Sequence, residues 1–236
     1  MTSRVTPVSR RRVVQGGFAA AVWALTGMSA SACSPSGAPA ESPAASGLTT
    51  PDPSVEPTGT SRASGVLLAY FSRPGENYYY GGRTNLEVGN TEVLAGMIRD
   101  LVACEVHRIE PVDPYAAGYD ATVERNVREQ NSDARPAIRT PLASIGSYDT
   151  VLLGSPIWNV RTPMIMSTFA ESHDFNGKRI LPFVTYAVSG LGSAVRDYTQ
   201  SCPGAEIGEA LAVRGEEAPQ HRADTEAWLR RAGLIR

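Results

Sequence analysis

Ser72, Asn90 and Thr91 are the residues of this chain best suited to holding an anion. The apolar run Val66-Leu67-Leu68-Ala69-Tyr70-Phe71 ends at Ser72-Arg73, and Gly89-Asn90-Thr91-Glu92 opens a helical pattern. The first N–H groups of a helix have no intrahelical acceptor and carry a partial positive charge, so a helix start facing a strand end can cradle a phosphate. The hydroxyls of Ser72 and Thr91 and the guanidinium of Arg73 add donors. The two halves are separated by 16 residues, Arg73 to Val88, rich in Tyr, Gly and Asn. Either the cradle is broken or the insert is part of it.

Two further turns carry chemistry of another kind. In Ser155-Pro156-Ile157-Trp158-Asn159-Val160-Arg161-Thr162-Pro163, a Trp stands at the end of a buried apolar run. It can lie flat against a planar ring or pack into the domain; stacking adds about 0.5–1.5 kcal/mol beyond area burial. In Thr185-Tyr186-Ala187-Val188-Ser189-Gly190-Leu191-Gly192-Ser193, Gly190 and Gly192 permit positive φ and close backbone approach. The N–H groups of that loop could bond the polar edge of a flat heterocycle.

Alternating apolar runs and helical patterns must position these turns. Strands are expected at 66–71, 104–110, 150–155, 180–186 and 210–213, and helices at 91–102, 119–131, 163–171, 192–200 and 220–232. The continuous apolar run at 150–155 is that of a strand buried on both faces. The helix at 119–131 is mostly polar and reads as surface-lying. Five strands alternating with five helices predict an α/β three-layer sandwich around a five-stranded parallel, doubly wound sheet. Such a sheet binds ligands at the carboxyl ends of its strands, where the turns 72–91, 155–162 and 185–192 converge. Within the insert, Gly81-Gly82 marks a sharp turn, Tyr78, Tyr79 and Tyr80 are expected to be covered, and Thr84 to Val88 alternates like a short strand. A hairpin-like excursion returning to the helix start would leave the cradle intact, since a long loop costs little extra closure entropy. The insert could cover a cofactor, decorate the surface or dock a partner.

The sequence resembles the flavodoxin family over about 66–215. The matches are Tyr70-Phe71-Ser72, Gly89-Asn90-Thr91, Pro156-Ile157-Trp158 and Ser189-Gly190-Leu191-Gly192. Ile109-Glu110-Pro111-Val112-Asp113-Pro114-Tyr115, Glu129-Gln130-Asn131 with Arg135-Pro136, and Cys202-Pro203 add to them. The resemblance implies a flavodoxin-like sheet of order 2-1-3-4-5 and FMN as cofactor. Ser72, Gly89, Asn90 and Thr91 would serve the phosphate; from the insert's own residues, Arg73 and Arg83 could add charge to it. Pro156, Ile157, Trp158 and Asn159 would flank the isoalloxazine, with Thr185, Tyr186, Ser189, Gly190 and Gly192 along its other edge. The chain departs from the family in the insert and at Ala187-Val188, where glycine is common. The implied activity is electron transfer with a redox partner protein or a small-molecule donor or acceptor. The alternatives are an FMN- or deazaflavin-dependent quinone or NAD(P)H reductase, and a cofactor-free lipoprotein that binds a partner. The implied strand order also sets Cys104 and Cys202 toward opposite edges, too far apart for a disulfide, so both thiols are expected to be free.

Residues 1–33 read as an export signal. Arg10-Arg11-Arg12 precede an apolar run from Gly16 to Met28, which suits the twin-arginine route or an ordinary secretory signal. Ala30-Ser31-Ala32 before Cys33 fits either a small-x-small cleavage site or a lipoprotein box with Cys33 as lipid anchor. Residues 34–64, almost all Ser, Pro, Ala, Gly and Thr, read as a linker, and 65–236 as the folded domain. The expected location is the cell envelope. Of 22 Lys and Arg, four lie in residues 1–33, which leaves 18 against 24 acids. That balance of −6 argues against nucleic acid as a partner, and the scattered His and Cys argue against a metal site.

Overall fold

The first strand, β1 (Val66–Tyr70), is apolar at every position because both its faces are covered. Leu67, Ala69 and Phe71 point into one core layer, and Leu68 and Tyr70 into the other. The computed structural model describes residues 65–236; the expected export signal, Cys33 and the 34–64 linker lie outside the described residues. After β1 come a hairpin, β2 (Gly75–Tyr79) and β3 (Gly82–Leu86), and helix α1 (Asn90–Leu101). Then follow β4 (Glu105–Arg108), α2 (Tyr119–Asn131), β5 (Thr150–Pro156), α3 (Met164–Glu171), β6 (Arg179–Tyr186) and α4 (Ala194–Ser201). The chain closes with β7 (Glu206–Ile207), β8 (Leu211–Arg214), a 3-10 turn (Gly215–Gln220) and α5 (Arg222–Arg231).

The central sheet runs β4-β1-β5-β6, with β7 and β8 both pairing with the far side of β6, and every pairing is parallel. This is the expected 2-1-3-4-5 order, corrected in one respect: the fifth position holds two short strands, so the sheet has six. The break between them falls at Gly208, where a Cβ would stand 2.6 Å from a Leu181 methyl carbon. Beyond the break, the Trp228 indole N–H donates to the Glu209 carbonyl at 2.9 Å, which holds the gap shut.

Two apolar layers flank the sheet. Leu94, Ala95 and Ile98 of α1 pack with Trp228 and Leu229 of α5 on one face. Ile165, Met166 and Phe169 of α3 and Ala194 and Tyr198 of α4 fill the other. Helix α2 contributes no residue to either layer; what it buries is Thr122, Asn126 and Glu129. Cys104 and Cys202 are free thiols. Burial pushes the Cys202 thiol up to about 12, so it stays protonated at neutral pH.

Two histidines lie on one aromatic side chain. The His107 ring stacks on Phe169 with centroids 5.8 Å apart, and His173 meets the same ring edge-on at 4.8 Å. Burial holds His107 below its ordinary value, with repulsion from His173 adding to it, and burial lowers His173 as well. Protonation is thus harder in the folded chain than in the unfolded one. The stability these rings hold is present above the unfolded value of 6.5 and is lost as pH falls below it. The urea midpoint is expected to drop between about pH 7.5 and about pH 5.5. A His107→Phe, His173→Phe double variant is expected to drop less over that interval, and an equal drop would place the titrating groups elsewhere.

Candidate functional site

The cradle is built, despite the insert. Gly89 caps α1 at φ −68°, ψ 146°. A Cβ there would collide with Ser72 Oγ and stand 2.6 Å from the Arg73 carbonyl oxygen. The two ends of the 16-residue excursion therefore touch. Ser72 Oγ accepts the Glu92 N–H at 3.1 Å, capping the helix across 20 residues of sequence and leaving its own proton free to donate. The N–H groups of Asn90 and Thr91 have no acceptor among the described residues. Thr91, only 2 % exposed, shares a 2.7 Å hydroxyl–hydroxyl bond with Thr185 at the end of β6. That bond ties the first turn to the third, and one hydroxyl proton of the pair remains available to a ligand.

The second turn is a tight reversal. Trp158 and Arg161 exchange backbone bonds of 2.9 and 3.1 Å across Asn159 and Val160, both in the left-handed region at φ 47° and 60°. Gln130 of α2 grips it: its amide N–H donates to the Trp158 carbonyl at 3.1 Å, and its oxygen accepts from Asn159 Nδ2 at 2.8 Å. The Trp158 indole meets Phe71 and Tyr115 edge-on at 5.5 and 5.1 Å. The third turn leans on the second, because Ser193 N–H donates to the Val160 carbonyl at 2.9 Å. Gly192, at φ 51°, admits that approach, since a Cβ there would collide with the same carbonyl oxygen.

The three turns open on one cavity of about 310 Å³, within the range of small-molecule sites. Ser72, Arg73, Asn90, Thr91, Pro156, Ile157, Trp158, Asn159, Thr185, Tyr186 and Ser189 line it. Gly89, Gly190 and Gly192 stand behind it: Gly89 and Gly192 set backbone approach, and Gly190 at φ 57° turns the loop in open space. Arg73 lines the cavity, but its guanidinium bonds the Ala116 and Ala117 carbonyls at 2.8 and 3.0 Å and the Glu76 carbonyl. It braces the hairpin rather than standing free beside the helix start. Burial, the largest influence, lowers its pKa, against an upward pull from Glu76.

A fourth wall includes the insert, for which covering a cofactor was one reading, and adds α2 and the segment after β8, which were not expected. Tyr119, Thr122, Val123 and Asn126 of α2 face the cavity, together with Asn77 and Tyr78 of the hairpin and Gly215 and Glu216 after β8. Asn126 is 2 % exposed, and no acceptor among the described residues takes its amide N–H. The hairpin itself is clamped twice. On one side, Glu76 N–H donates to the Ala117 carbonyl at 2.8 Å, the Glu76 carboxylate accepts Tyr119 N–H at 2.9 Å, and Arg83 grips Asp120 at 2.7 and 2.9 Å above the Tyr119 ring. On the other, Tyr80 N–H donates to Glu216 at 2.9 Å. Tyr78 is half-buried, while Tyr79 and Tyr80 stay exposed at 46 % and 54 %, which corrects the expectation that all three are covered.

With this geometry in view, comparison with known proteins decides the family. The model described as Flavodoxin matches residues 85–231, well over half of the chain. The chain belongs to the flavodoxin family. β1, Ser72 and most of the hairpin precede the matched span. No curated protein matches. Among solved structures, a candidate flavoprotein from Bacteroides eggerthii is 27 % identical over 72 % of this chain and 98 % of its own, with a TM-score of 0.58. One from Bacteroides uniformis is 28 % identical over 71 % and 99 %, with a TM-score of 0.56. A flavoprotein from Lactobacillus acidophilus in complex with FMN is 15 % identical over 67 % and 98 %, with a TM-score of 0.48.

Against that flavodoxin background, Val160 is costly. A β-branched residue in the left-handed region costs about 1–2 kcal/mol, and Asn tolerates that region better. Val160 is 56 % exposed, so little packing opposes its replacement. Val160→Asn is expected to raise unfolding stability by about 1 kcal/mol, read as a higher urea midpoint at unchanged slope.

Proposed function

We propose that the domain binds FMN across the three turns and passes electrons through it at the cell envelope, to or from a redox partner protein or a small molecule. One observation carries the reading: Ser72 meets the open N-terminus of α1 inside the same cavity that Trp158 and Tyr186 line. The cradle fits a phosphate by its donor set, namely the N–H groups of Asn90 and Thr91 with the hydroxyls of Ser72 and of the Thr91–Thr185 pair. Trp158, Ile157 and Tyr186 offer apolar and aromatic surface of the kind a flavin ring needs. Bound FMN supplies the redox chemistry, and the chain supplies binding, orientation and exclusion of water. The envelope location rests on the sequence of residues 1–33, with Cys33 as a lipid anchor.

A reductase that turns over a quinone or NAD(P)H inside the cavity is the second reading. The α2 wall favours it, because Asn126 and Tyr119 add polar groups to the cavity beyond those of the three turns.

Stripped protein titrated with FMN and with riboflavin, which lacks the phosphate, tests the reading. Thr91→Ala is expected to weaken FMN by about tenfold or more, as for a hydrogen bond to a charged group, and riboflavin far less. Equal losses would move the phosphate out of the cradle, and absence of flavin binding by the parent protein would remove the function.

A further inference from the structure

Three exposed valines collar the cavity. Val123 of α2, Val160 of the second turn and Val188 of the third all line it, at 41 %, 56 % and 70 % exposure. Exposed apolar side chains are ordinary when scattered singly, but here three from separate segments meet at one opening. Val160 keeps its place at φ 60°, where a β-branched residue costs stability, and strain of that kind collects at ligand sites. Asn126 lies deeper. It follows Val123 by three residues on α2 and so shares its face. Its oxygen meets Gln130 Nε2 at 3.5 Å, and its own N–H groups have no acceptor among the described residues. A buried donor without an acceptor is costly, and a ligand oxygen would remove that cost. The charged residues that line the cavity are Arg73 and Glu216. Arg73 spends its donors on backbone carbonyls. Glu216 accepts Tyr80 N–H and has no ion-pair partner among the described residues. No free cation therefore faces the opening.

We propose that the opening binds a neutral, flat ring carbonyl of the quinone class, with its apolar surface against the three valines and one carbonyl oxygen accepting from Asn126. A donor as deep as Asn126 is within reach of a small molecule and out of reach of a docked protein surface. A nicotinamide dinucleotide fits less well, because its pyrophosphate calls for the cation that is missing. The proposal rests on the reductase reading and narrows its substrate.

Equilibrium dialysis of the FMN-loaded full chain against duroquinone and against durene tests the site. Durene is the same methylated ring without the carbonyls, and full methylation keeps the quinone from adding to the free thiols. Asn126→Leu, close in shape, is expected to weaken duroquinone about fivefold, the loss of one hydrogen bond, and to leave durene unchanged. Val160→Asn, expected to be the more stable protein, is expected to weaken both probes about threefold, because apolar contact leaves the collar. NADP+ at millimolar concentration is expected to leave duroquinone bound. Equal losses of the two probes in Asn126→Leu, unchanged uptake by Val160→Asn, or displacement by NADP+ would overturn the proposal. So would the absence of duroquinone uptake, or release of FMN by duroquinone, which would put the probe in the flavin's own place. FMN retention is read on the same samples by visible absorbance. A chain that takes up no flavin fails the flavin reading, while the two probes still decide the role of Asn126 on that chain.

Discussion

Everything at this site depends on the missing side chain of residue 89. Ser72 Oγ and the Arg73 carbonyl occupy the space where a Cβ would stand. Because Gly89 yields that space, the end of β1 and the start of α1 lie in contact, and the helix is capped by a serine far upstream. The capping oxygen takes the N–H of Glu92 and leaves those of Asn90 and Thr91 open. Ser72 thus does from a distance what a side-chain cap at residue 89 would do for the second or third N–H of the helix. The insert can be long because its two ends meet at one point, and loop closure grows only slowly with length.

The sheet was legible in the sequence because its central strands are buried on both faces and read as unbroken apolar runs. The hairpin was legible from Gly81-Gly82. The role of α2 was not. A helix that buries Thr122, Asn126 and Glu129 and exposes Val123 and Val127 inverts the usual pattern, and hydrophobic periodicity scores it as a surface helix. The one sequence signal was Glu129-Gln130-Asn131, since Glu129 accepts the buried Tyr115 hydroxyl and Gln130 holds the Trp158 turn. Arg73 misled for a related reason: its charge suggests a phosphate, but three carbonyls stand nearer. The split of the fifth strand followed from a close packing of Gly208 on Leu181 that no local pattern encodes.

The clamps on the hairpin change what the insert is. Exposed ion pairs such as Arg83–Asp120 contribute little singly. Here they act with backbone bonds at Glu76 and Tyr80 and with the buried guanidinium of Arg73. The hairpin is a fixed wall that joins α2 to the segment after β8, and Asn77 and Tyr78 face inward from it. The exposed Tyr79 and Tyr80 rings meet edge-on at 4.9 Å on its outer side.

The bond from Tyr80 to Glu216 spans 136 residues. At a synthesis rate of about 5–20 residues per second, the second partner leaves the ribosome roughly 7–27 s after the first. During that interval the hairpin can gain its contacts to the start of α2 but not those to the segment after β8. The cavity is walled on all sides only when the last strand and the turn after it are in place. A cofactor arriving before then would meet a site with one side missing, so loading belongs to the finished chain rather than to the growing one.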